Sequence, residues 1–80
     1  MRKQSVVVNV CGHEATVTVG KHQSLGAVAT DARWRTGYGE IPFDAWEIRD
    51  EDGRLLSAEW PVSRPLPAKV FVNRTPGIGA

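Results

Sequence analysis

Eighty residues carrying a net charge of +1, with ten Lys and Arg against nine Asp and Glu, leave room for one small domain. The charge is too balanced to favour nucleic acid or an anionic membrane. At 41% hydrophobic content the chain can bury a core, which excludes wholesale disorder, and no apolar run approaches the ~20 residues of a membrane span.

Met1-Arg2-Lys3-Gln4 is basic, but the valine run after it is short and broken by Asn9, so it reads as a strand and not a signal peptide. Val6, Val8 and Val10 alternate with Val7, Asn9 and Cys11, which predicts a strand with the first set facing the core. Gly12-His13 is a candidate tight reversal. Ala15, Val17 and Val19 then alternate with Thr16 and Thr18, completing a hairpin. Ser24 suits an N-cap, and Leu25, Val28, Ala29 and Ala32 at i, i+3, i+4 and i+7 predict one apolar stripe on a helix from about Leu25 to Thr36. Gly37 and Gly39 can end it, and Pro42 in the Glu40-Ile41-Pro42 link bars its continuation. Trp46 and Ile48 alternate with Glu47 and Arg49 as a third strand. Asp50-Glu51-Asp52-Gly53 is a turn, and Arg54-Leu55-Leu56 a short fourth strand. Ser57 to Pro67 carries three prolines and reads as a surface loop with room for one helical turn. Ala68 to Asn73 is the last strand, with Val70 and Val72 facing inward. Pro76 should stop strand pairing by Thr75.

Few residues carry chemistry. Cys11-Gly12-His13 puts a thiol near an imidazole, but a nucleophile needs an orienting third group, and Glu14 would point away along a strand. His22 is the only other histidine, too few for a metal site of about four ligands. The single cysteine excludes an internal disulfide and fits a reducing, cytoplasmic compartment. The acidic turn at 50–53 lacks the ligand spacing of a calcium loop. No acid–base or nucleophile–base pair is evident, so an enzyme is the least favoured class, and no metal or cofactor is expected. Trp34 falls nearly opposite the helix stripe. It is either an interface residue, with Arg33 or Arg35 over its ring, or it folds back under Gly37-Tyr38-Gly39 to fill the core. Trp46 should fill the core from the third strand and Trp60 cover a core edge.

Taken together, the hairpin Val6–Val19, the Ser24-capped helix, the Glu40-Ile41-Pro42 link, Asp52-Gly53-Arg54 with Leu55-Leu56, and Val70-Phe71-Val72-Asn73-Arg74 before a glycine-bearing tail resemble a ubiquitin-like β-grasp protein over nearly the whole chain. The likeness is to a bacterial branch of that superfamily. It implies an α+β fold, a β-β-α-β-β-β mixed sheet packed on one helix, with residues 1–75 as the domain and 76–80 as a flexible tail.

The resemblance also implies a function. Ubiquitin-like modifiers are adenylated at a terminal glycine carboxylate and transferred to amines, whereas sulfur carriers of the same fold become thiocarboxylates. Glycine suits a terminus that must enter a narrow nucleotide site because it has no Cβ to clash. Here the end reads Gly77-Ile78-Gly79-Ala80 and not Gly-Gly. Ile78 is bulky, and a peptidase would have to remove Ala80 to expose Gly79. Chain ends also carry glycine simply because nothing constrains them. A segment from Thr75 onward could reach on the order of 15–20 Å at ~3.5 Å per residue. Gly77, Ile78 and Gly79 are thus the residues expected to enter a partner's site, with Arg74 guiding them along an acidic groove. The implied partners are an ATP-dependent activating enzyme, a processing peptidase and other proteins, and the chain itself is expected to be a monomer. A third reading is an interaction module that leaves the tail inert and uses Trp34 and Tyr38, or Phe71. The apolar patch that ubiquitin uses on its outer sheet face does not carry over, because Glu47, Arg49 and Lys69 share that face with Phe71.

Overall fold

The computed structural model describes residues 4–22, 24–40 and 46–74. Strands β1 (Ser5–Val10) and β2 (His13–Thr18) form an antiparallel hairpin. Its register pairs Val10 with His13, so the reversal is Cys11-Gly12, one residue earlier than the sequence suggests. Both turn residues are left-handed, with φ of 50° at Cys11 and 91° at Gly12, the geometry whose twist matches the flanking strands. The Asn9 side-chain oxygen accepts from the Gly12 N–H at 2.9 Å and braces the turn. β2 stops at Thr18, and Val19, expected in the strand, opens a 3-10 turn (Val19–Lys21) while staying buried.

Helix α1 (Leu25–Arg35) starts where Ser24 caps it, the hydroxyl accepting from the Ala27 N–H at 3.2 Å. It ends at Thr36, and Gly37 comes next with φ of 91°, a conformation that favours glycine. The predicted stripe Leu25, Val28, Ala29 and Ala32 is fully buried. The remaining strands are β3 (Trp46–Arg49), β4 (Leu55–Leu56) and β5 (Lys69–Arg74). The 57–67 segment forms turns with no helical turn. Its carbonyls at Trp60 and Ala58 accept from the Leu25 and Gly26 N–H groups, each at 2.8 Å, which satisfies donors that a helix start otherwise leaves unpaired.

The sheet order is β2-β1-β5-β3-β4. β1 and β5 run parallel at its centre, and the other pairs are antiparallel. One helix on a five-stranded mixed sheet makes this an α+β domain with a β-grasp-like arrangement. Alternation sorts the two sheet faces. Val6, Val8, Val10, Val17, Ile48, Val70 and Val72 meet the helix stripe, and Trp46 closes one end. Full burial of each such aliphatic side chain contributes roughly 1.5–3 kcal/mol. Among the described residues no helix is long and apolar enough to cross a membrane.

Candidate functional site

Arg74 is the last residue of β5, pairs with Trp46 across to β3, and is exposed. Strand β5 therefore ends within the sheet, between β1 and β3, with a solvated cation as its last residue. Gly77, Ile78 and Gly79, the expected entry segment, lie outside the described residues, as do Thr75, Pro76 and Ala80. Of the Glu40-Ile41-Pro42 link, Ile41 and Pro42 lie outside them as well.

The three aromatic candidates do not converge. Trp34 projects from the solvent side of α1 and is 61% exposed, so the core-filling alternative does not hold. The ring does fold back toward the 37–39 loop, as that alternative supposed, but it lies on the outside. Gly39 packs against its face so closely that a methyl group there would collide with the indole. Tyr38 turns the other way. Its backbone N–H donates to the Arg33 carbonyl at 2.7 Å, and its ring sits edge-on to Trp46 and tilted against His13, both at 6.0 Å. Phe71 occupies the opposite face of the sheet, between Asn9 of β1 and Arg49 of β3.

Among the described residues, the contacts found for the two arginines beside Trp34 lie elsewhere. Arg33 is one position past Ala32 and shares its buried flank, with its guanidinium over the Trp46 ring at 5.1 Å. Burial pushes that guanidinium below its ordinary pKa. Arg35 instead donates through Nε to Asp31 Oδ1 at 2.7 Å, and His22 Nε2 lies 2.9 Å from the other oxygen. The Arg35 hydrogen bond holds the Asp31 carboxyl below its usual range; burial opposes it, and His22 adds a lesser lowering effect. This cluster ties the loop before α1 to the helix, a link with no signature in the linear spacing.

On the outer sheet face the charges pair internally. Lys69 bonds Glu14 and lies 5.3 Å from the Phe71 centroid, and the bond to Lys69 lowers the Glu14 pKa. Arg49 bonds Glu47 at 2.9 Å, which raises the arginine's pKa, and donates to the Gly53 carbonyl at 2.7 Å. The acidic turn is structural. Asp50 Oδ1 accepts from the N–H groups of Asp52 and Arg54, both at 2.9 Å, and Gly53 supplies a φ of 83°. Cys11 is half-buried in its turn. Among the described residues no three His, Cys, Asp or Glu gather as a metal site would require. Trp60 covers a core edge, with Arg64 stacked on it at 4.6 Å.

The sequence pattern does not disclose an open groove of about 270 Å³ between α1 and β3–β4, lined mainly by Ala29, Trp46, Ile48, Leu56, Ala58 and Val72. The exposed Leu55 stands at it. Its only sequence signal is the pair of small residues Ala29 and Ala58, which a one-dimensional pattern does not bring together.

No family model matches the chain, and no curated protein matches it.

Proposed function

We propose that this chain is a bacterial ubiquitin-like tag, joined to other proteins through the segment C-terminal to β5. The Gly79 carboxylate, exposed once a peptidase has removed Ala80, attacks the α-phosphate of ATP on an activating enzyme, and pyrophosphate leaves. A protein amine then displaces AMP and forms an amide bond. The domain supplies no catalytic group to either step. It supplies a rigid body and an entry segment, Gly77, Ile78 and Gly79, in which two of the three residues lack a side chain, with Arg74 at its root to pair with an acidic groove.

The observation that supports this reading is the position of β5. It is a central strand ending in an exposed Arg74, and the glycine-bearing sequence follows it directly in the chain. The test is an N-terminally tagged chain expressed in its native cells. SDS-resistant species of higher mass should form, digestion should yield branched peptides ending at Gly79, and deletion of 76–80 should abolish both. Absence of such species, with no phenotype for the deletion, refutes the tag. A thiocarboxylate at Gly79, detected as a sulfur-for-oxygen mass change, would place the chain among sulfur carriers. Partner capture that survives the deletion but fails in Trp34→Ala would make it an interaction module.

A further inference from the structure

We infer that the free edge of β2 pairs antiparallel with β2 of a second copy of this chain, giving a transient two-fold dimer with a continuous sheet. This departs from the monomer expected from the sequence and does not depend on the tag reading.

The hydrogen-bond phase of the hairpin decides which groups are available. Val19 donates to the Gln4 carbonyl at 2.8 Å, so along the register every second pair is hydrogen-bonded: Val6 with Val17, Val8 with Ala15, and Val10 with His13. The N–H and C=O groups of Glu14, Thr16 and Thr18 therefore point away from β1. Among the described residues no backbone bond uses them, and all three residues are exposed. The opposite edge of the sheet, β4, is only two residues long, too short to template a partner. β2 has six.

Proteins usually guard such an edge with proline, lysine, a bulge or a projecting charge. His13–Thr18 contains no proline or lysine and pairs without a bulge. Its one carboxylate, Glu14, is drawn back over β1 to Lys69 of β5, away from the edge. His13 is turned toward Tyr38.

The strand is also complementary to itself. With the two-fold axis between two Thr16 residues, Thr16 faces Thr16, Glu14 faces Thr18, and Ala15 faces Val17. Cross-strand threonine pairs are favourable, no like charges meet, and the outward groups form about six interchain hydrogen bonds. On the helix side, Asp31 and Arg35 neutralise one another. A contact confined to one strand buries less than the ~1,200 Å² at which stable interfaces begin, so dimerisation should be half complete only at roughly hundreds of micromolar.

The test is sedimentation of the full chain from low micromolar to ~1 mM, read together with amide exchange at Glu14, Thr16 and Thr18. Wild type should shift from monomer to dimer mass as these amides gain protection. Thr16→Pro removes only an N–H that faces away from β1, and Thr16→Lys sets two like charges on the axis. Both variants should stay monomeric with the wild-type circular dichroism spectrum. Wild type that remains monomeric at ~1 mM overturns the inference, including the case where this edge takes a strand from a different protein. A dimer that persists in folded Thr16→Lys also overturns it.

Discussion

Trp34 and Gly39 make a pair whose coupling can be worked out in advance. Trp34 is 61% exposed, so about two-fifths of its surface is covered. For a side chain that buries 150–250 Å² when fully enclosed, this is roughly 60–100 Å², or about 1.5–2.5 kcal/mol at ~25 cal/mol per Å². Part of that cover comes from the helix itself, which leaves about 1 kcal/mol for the contact with Gly39. A methyl group at 39 collides with the ring, and the exposed ring can swing away, so Gly39→Ala should cost about 1 kcal/mol and no more. In a Trp34→Ala background the collision is gone. The same substitution should then stabilise by about 0.4–1 kcal/mol, because alanine restricts the unfolded chain and this glycine's φ is not among the left-handed ones. The expected coupling is therefore about 1.5–2 kcal/mol. Urea unfolding of the four proteins, followed by far-UV circular dichroism, measures it. Equal effects of Gly39→Ala in both backgrounds would refute the stacking argument.

Two further substitutions report on how α1 is held. The carboxyl of Asp31 has its pKa lowered by Arg35 and His22, so its contribution is present above the unfolded value of about 3.8 and is lost as pH falls through the lower folded value. Asp31→Asn should cost about 0.5–1 kcal/mol at neutral pH. Its unfolding curve should merge with that of wild type toward pH ~2, and a gap that stays constant from pH 7 to 2 would exclude the ion-pair account. Ser24→Ala should cost about 1 kcal/mol and Ser24→Gly only a few tenths, measured by the same denaturation, with equal costs arguing against the cap.

Much of the architecture was legible because alternation and helical spacing are local signals. Val6, Val8 and Val10 sort the faces of β1, and Ser24 with Leu25, Val28, Ala29 and Ala32 defines α1 from its cap to its buried stripe. The turn lies one residue earlier than the sequence suggests because Cys11 adopts a left-handed backbone that residue type alone does not announce. The place of Arg33 is not legible for a different reason. A charged residue is expected in water, yet its long apolar stem lets it lie across Trp46. The groove beside β4 and the His22–Asp31–Arg35 cluster arise from contacts between distant segments, which no window of sequence contains. Trp34 could be placed opposite the stripe by wheel geometry alone, but its contact with Gly39 required the path of the loop.

The central position of β5 also bears on how the chain reaches its native state. It is the last of the described strands in chain order, yet it sits between β1 and β3 and joins Val7 to Lys69. Until it arrives, the hairpin with its helix and the β3–β4 pair have no ladder between them. During synthesis the domain must therefore wait, with valines uncovered, until Arg74 has cleared the ribosome, and closure by such a long-range pairing is slow. A nascent chain stalled before that point would be a ready substrate for chaperones and proteases.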